Sequence, residues 1–428
     1  MSTFAINDKR VINAWAIFDW ANSAYSLVIS TAIFPIYFIA YTPDNIQLGS
    51  LNFTNAALYS FAVTFSYLII AVLSPILSGI ADYSGRRKFF LHIFTLVGSL
   101  ACMVLYLFKG EPQLWLGTTA FIMATVGFSG SLVFYDSYLP LIVTEDRYNA
   151  VSAKGYTLGY IGSVILLITI LFLGNKPEWF GLIDSQAAYR LGFLLVGLWW
   201  VIFAQYTLRY LPKDKRTNFT EKVFKNGFLE LQKAYRNVRA NPNILMFLSA
   251  FFFYSAGVQT VIYLATVFAK QELQFESTEL ILLVLILQLV AILGAYLFSL
   301  LGSKYGNRLS IMIMLAIWTT ICLGAYVTTS KSFFYFLAIL VGMVMGGIQS
   351  LSRASYSSII PEKSDTTSYF SLMDVIYKMA IVTGTFSFGL AENITGNMRN
   401  SVLVLGVFFL LGMLFISKTK LPKWSATS

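Results

Sequence analysis

Residues 78–87 read Ser-Gly-Ile-Ala-Asp-Tyr-Ser-Gly-Arg-Arg, and residues 299–308 read Ser-Leu-Leu-Gly-Ser-Lys-Tyr-Gly-Asn-Arg. Each stretch separates two long apolar runs and closes on a glycine with basic side chains beside it. Glycine permits a tight reversal, and Arg or Lys there suits phosphates or the ends of neighbouring helices. The two stretches lie 221 residues apart in a chain of 428, so the same turn recurs after about half the length. That recurrence predicts two halves built on one plan.

Working outward from these turns, apolar runs of bilayer length occur at about 13–41, 55–81, 89–108, 114–139, 150–173, 189–210, 243–269, 278–301, 310–329, 333–352, 367–391 and 400–417. Twelve spans predict an all-α membrane protein with residues 1–210 as one six-helix half, 211–242 as a basic linker and 243–428 as the second half. Composition agrees, since 57% of residues are apolar and only 12% charged, too apolar for a soluble core to absorb. Cys102 and Cys322 fall inside apolar runs and imply no disulfide framework.

Charge orients the chain. The amino terminus, the even-numbered connections and the carboxyl terminus hold 23 Lys and Arg against 6 in the odd-numbered connections, and Lys378 inside a run is the thirtieth. By the positive-inside rule both termini are expected on the cytoplasmic side. The net charge of +10 is therefore set by topology, and no nucleic-acid partner is expected. The first span is too long for a signal-peptide core and is read as uncleaved. Between Arg209 and Asn241 the residues Phe224, Phe228, Leu231, Tyr235 and Val238 recur at helical spacing among nine basic residues. This fits an amphipathic helix on the anionic inner leaflet, or a solvated linker with one sticky face.

The turn at 78–87 resembles the signature loop of the major facilitator superfamily, with Ser78 where Gly is usual and Tyr83 where a basic residue is usual. Three further segments narrow the resemblance: Phe18-Asp19-Trp20-Ala21-Asn22-Ser23-Ala24-Tyr25, Val151 to Tyr160 (VSAKGYTLGY), and Gly346-Gly347-Ile348-Gln349-Ser350-Leu351-Ser352-Arg353. They resemble the branch containing the autophagy-related vacuolar amino-acid effluxer and its bacterial relatives. The resemblance implies two six-helix halves and amino-acid export. In span seven that branch often carries an acid where this chain has Ala256, so an acid-dependent role there is not carried over.

Polar residues inside spans mark candidate paths. Lys378 lies near the middle of the run 367–391, with Asp374 one turn earlier at the favourable acid-before-base i, i+4 spacing. An ion pair and a substrate contact are both open readings. On span one Asp19, Asn22, Ser23, Ser26 and Ser30 fall at i, i+3, i+4, i+7 and i+11, a single polar stripe on an otherwise apolar helix. Span five offers Tyr156, Tyr160 and Ser163; span seven offers Ser255, Gln259, Tyr263 and Thr266; span eleven adds Ser371 and Thr385. Together these are expected to line a polar cavity at the interface of the halves, although interhelical hydrogen bonding explains any single Ser or Thr as well. Asp82, Gly85, Arg86 and Arg87, with Asp136 and Arg353 at other span ends, are expected to form a cytoplasmic gate. Gly342 and Gly346 are read as packing residues.

No phosphate-binding loop or nucleophile elbow occurs, and His92 has no Cys or acid at metal-ligand spacing. Neither an enzyme nor a resident cofactor or metal is expected. The sequons at Asn52 and Asn393 fall on the predicted outer side. The expected function is secondary active transport of a small solute with proton or sodium coupling. A lipid, amphiphile or drug exporter of the same fold, or a membrane sensor or scaffold without transport, is the alternative. Membrane lipids are the other expected partner, the expected state is a monomer, and the short termini and loops favour a bacterial inner membrane over a vacuole.

Overall fold

A computed structural model describes residues 5–48, 51–214, 222–361 and 365–422. Residues 215–221 of the expected linker lie outside them. The helices, in chain order, are α1 (Lys9–Ala24), α2 (Phe34–Tyr41), α3 (Asn55–Ser84), α4 (Arg87–Val104), α5 (Leu114–Asp136), α6 (Leu139–Ile142), α7 (Tyr148–Asn175) and α8 (Ser185–Tyr210), then α9 (Lys222–Ala240), α10 (Pro242–Leu273), α11 (Ser277–Tyr305), α12 (Asn307–Val327), α13 (Lys331–Ile359), α14 (Thr366–Thr395) and α15 (Met398–Lys418). One antiparallel hairpin, β1 (Asn45–Leu48) with β2 (Leu51–Thr54), precedes α3.

Ten of the described helical segments are long and apolar enough to cross a membrane, and the bent pair of Lys9–Ala32 and Phe34–Tyr41 makes an eleventh. The twelfth span is α14, whose 30 residues are long enough and whose polar residues keep it out of a purely apolar count. Twelve spans follow, as the sequence predicts. All backbone groups within such helices bond internally, which hydrocarbon demands.

Local chemistry sets the boundaries. Thr54, Asp184, Asn241, Ser330 and Asn397 each accept a backbone N–H at the start of α3, α8, α10, α13 and α15. The repeated turn is equally explicit. Gly85 ends α3 with φ 65° and Gly306 separates α11 from α12 with φ 94°, a region that favours glycine. These two positions are related by the 221-residue offset of the sequence repeat.

The described chain packs as two compact units. In the unit of Lys9–Asp136 and Leu158–Phe228, α4 packs along α5 and α8, α1 along α8, and α3 along α5. In the unit that holds Ser137–Thr157 and Leu229 onward, α11 packs along α13, α10 along α14 and α15, and α12 along α15. Small residues permit the α11–α13 approach. A Cβ on Gly342 would lie 2.7 Å from the Leu287 carbonyl oxygen, and one on Gly346 would run into the carbonyl of Ala291.

The first span departs from the straight helix assumed above. After Ala24 it widens into a π-helix over Tyr25–Ala32 before α2 begins. The i→i+5 pattern re-phases everything beyond Tyr25, so the α-periodic stripe holds through Asn22 and Ser23 and is lost by Ser30. Pro35 at the start of α2 contributes to the break, since its ring removes an N–H donor.

Candidate functional site

In α14, Lys378 is the thirteenth of 30 residues, roughly 18 Å from the helix start at the standard rise. Its side chain is 5% exposed and its ammonium is bonded to the Asp374 carboxylate one turn earlier. Burying an ammonium in hydrocarbon costs several kcal/mol, and the adjacent carboxylate offsets part of that. Asp374 is the more accessible partner, with its side chain 18% exposed, so the pair has one dry end and one wetter end. On α10, Ser255 and Gln259 are buried one turn apart, while Tyr263 and Thr266 are half-buried. Lys378 bonds neither Gln259 nor Tyr263 among the described residues. Ala256 is fully buried, with its carbonyl pressed against Gly384 of α14.

The other unit holds the candidates of the first span. Asp19 is 4% exposed and accepts a hydrogen bond of 2.8 Å from the Tyr135 hydroxyl of α5. Tyr135 is itself fixed, because its ring stacks on Trp15 and Phe18 and its carbonyl accepts from the Trp15 indole at 3.0 Å. Asn22, one turn beyond Asp19, is 1% exposed, and among the described residues neither its amide nitrogen nor its amide oxygen has a hydrogen-bond partner. A buried unpaired amide is costly and reads as a group awaiting a polar partner. Ser26 lies half-buried at the start of the π-helix. Tyr160 of α7 is buried, and its carbonyl accepts from Ser163.

At the repeated turn, Arg87 donates to the buried Asp82 carboxylate at 2.8 and 2.9 Å, which closes the turn on itself. Gly85 supplies the reversal and the Arg86 backbone N–H bonds the Ala81 carbonyl. Asp214 caps the next helix by accepting from the N–H groups of Lys88 and Phe89. Asp136 ends α5 half-buried.

Arg353, at the far end of α13, has a denser environment. It donates to the Ser152 hydroxyl at 3.0 Å and the Ser152 carbonyl at 2.9 Å, and its guanidinium lies 4.3 Å from the Tyr156 ring centre. Ser152 in turn donates to the Ser350 carbonyl. One turn before Ser152, Asn149 and Asn307 exchange amide hydrogen bonds, and Asn307 also donates to Ser355. Thr367 bonds Ser137 in the same unit. Residues 137–157 are thus stapled to α12, α13 and the start of α14. Sequence reading singles out Arg353 and Tyr156 but not Asn149 or Asn307, which lie 158 residues apart and carry no shared local signal.

His92 is exposed on α4.

With this geometry in place, comparisons with known proteins fall on one side. The family model described as "Vacuole effluxer Atg22 like" matches residues 7–424. An uncharacterised MFS-type transporter, YxiO of Bacillus subtilis, is 29% identical over 408 residues, covering 95% of this chain and 94% of the relative. Autophagy-related protein 22 of Kluyveromyces lactis is 26% identical, covering 85% of this chain and 79% of the relative. Among solved structures, the proton:xylose symporter XylE superposes with a TM-score of 0.71 at 13% identity, covering 97% of this chain and 96% of that one. A bacterial homologue of the iron transporter ferroportin gives 0.69 at 14% identity, covering 96% and 98%. At such identities these two speak for the fold alone.

Proposed function

The chain belongs to the vacuole effluxer Atg22-like family of major facilitator superfamily transporters, and on that premise we propose that it is a secondary active transporter exporting an amino acid or a similar small zwitterion. The observation that carries the substrate reading is Lys378, a buried cation deep in a spanning helix with a more accessible carboxylate one turn away. A zwitterion presents the complementary pair of charges. Its carboxylate would take the Lys378 ammonium, and its ammonium, or a coupling proton, would take Asp374. Burying the Lys378–Asp374 pair without a job gains little, because desolvation roughly cancels the Coulomb term.

With this pair we assign Gln259 and Tyr263 of α10, and Asp19, Asn22, Ser26 and Tyr160 of the amino-terminal helices, to the substrate or ion pathway. The unpaired Asn22 amide supports that assignment, since it can both donate to and accept from a polar solute. Asp82, Gly85, Arg86, Arg87, Asp136 and Arg353 are assigned to the cytoplasmic gate. The proposed cycle is alternating access by halves 1–210 and 243–428, joined by the linker 211–242, with both termini cytoplasmic in a bacterial inner membrane and a monomer as the working unit. Proton or sodium coupling completes the proposal.

The deciding experiment is efflux of labelled amino acids from proteoliposomes holding the purified chain, with and without a pH or sodium gradient. Counterflow of an amino acid supports the reading. Movement of amphiphilic dyes or lipids with no amino-acid flux would favour the amphiphile-exporter alternative instead.

A further inference from the structure

The helix between the halves carries a feature that transport does not absorb. Helix α9 runs for 19 residues, roughly 28 Å. Gly227, Ala234 and Val238 are buried along one stripe with Leu231 half-buried between them. Two bonds fix that side in place: Lys233 pairs with Asp365 at 3.1 Å, and the Asn237 amide donates to the Tyr369 hydroxyl at 3.1 Å. Asp365 and Tyr369 flank the first turn of α14, the span that carries Lys378. The helix is therefore held at the level where a spanning segment enters the bilayer.

The opposite stripe is Lys225, Phe228, Leu229, Gln232, Tyr235, Arg236 and Arg239, all exposed. Phe228 is 61% and Tyr235 55% exposed. The stripe has three cations, three large apolar side chains and no acid, and among the described residues none of the three cations has an ion-pair partner. The sequence pattern alone assigns Phe228, Tyr235 and Val238 to one face. In the structure Val238 turns inward to dock the helix, and the aromatic residues stay outside with the cations.

We propose that this stripe is a binding surface for anionic phospholipid headgroups of the leaflet at that end of α14. The cations meet the headgroup phosphates, while Phe228, Leu229 and Tyr235 enter the headgroup–acyl boundary. The stripe holds no acid that would repel phosphate, and its one neutral polar residue is Gln232.

The test uses the full-length chain with Gln232→Cys carrying an environment-sensitive fluorophore. Labelling is selective because Cys102 and Cys322 are buried. In nanodiscs containing phosphatidylglycerol the emission should shift to the blue and escape a water-soluble quencher, relative to discs of phosphatidylcholine alone. High salt should reverse the shift. The triple change K225Q, R236Q and R239Q should abolish it while leaving the melting temperature unchanged, since among the described residues these side chains form no ion pair. Phe228→Ser with Tyr235→Ser should restore quenching. Identical emission in both disc types, or full quencher access in both, overturns the proposal and leaves a water-facing stripe suited to a soluble partner.

Discussion

Asn149 and Asn307 exchange both amide hydrogen bonds, Asn149 Nδ2 donating to Asn307 Oδ1 at 2.6 Å and Asn307 Nδ2 to Asn149 Oδ1 at 2.9 Å. Both residues are 2% exposed. Asn307 occupies the position of the second repeated turn that Arg86 occupies in the first, so the two copies of one turn have diverged from a charge to a neutral amide clamp. A neutral clamp avoids the desolvation of a buried charge and can separate without stranding one.

Replacing one partner leaves the other amide buried and unsatisfied, a cost of about 1–3 kcal/mol. Asn149→Ala should therefore loosen residues 137–157, read as faster amide exchange there than in α12 or α13. The double change Asn149→Ala with Asn307→Ala should cost less than the sum of the singles. Strict additivity in a thermal-stability cycle would show that the pair does not act as a unit.

Asp82 and Arg87 close the first turn upon itself with the carboxylate fully buried. Asp82→Asn removes the charge and keeps the shape, which should weaken the turn by about 1 kcal/mol or more. If the turn stabilises one end state of the cycle, transport should slow several-fold while substrate affinity changes little. Transport kinetics equal to those of the parent protein would remove the turn from the gate.

Close packing gives a sharper contrast. Gly346→Val must push Ala291 and its helix away from α13, and overpacking of this kind costs about 1–3 kcal/mol. On α14, a Cβ added at Gly389 meets nothing within 4 Å. Gly389→Ala should leave the melting temperature in detergent unchanged, whereas Gly346→Val should lower it and reduce the yield of monodisperse protein.

The twelve spans were legible because hydrocarbon imposes a length and a composition, and the repeat was legible because Gly85 and Gly306 both require positive φ. The Lys378–Asp374 pair was legible because its partners lie within one turn. What escaped the sequence depends on tertiary packing or on unusual backbone. The π-helix over Tyr25–Ala32 has no periodic signature, and it cancels the outer part of the predicted stripe on the first span. Asn149 and Asn307 are 158 residues apart, so nothing local announces their bond. The split of α9 into a docked and an exposed face is decided by what Ala234 and Val238 pack against, and the apolar pattern alone cannot divide them.

Lys378 separates a structural from a transporting role most directly. Lys378→Met removes the buried cation and leaves the Asp374 carboxylate without it, a change that can cost about 3–5 kcal/mol when both groups are dry. Adding Asp374→Leu replaces the pair by apolar side chains and should restore or exceed the parent stability, because helices in lipid tolerate apolar residues at this depth. If Lys378 meets the substrate carboxylate, transport stays lost in both the single and the double variant although the double is stable. The measurement is efflux from proteoliposomes alongside thermal unfolding of the same preparations. A double variant that is stable and transports at the parent rate would falsify the substrate role and leave the pair as an internal strut of α14.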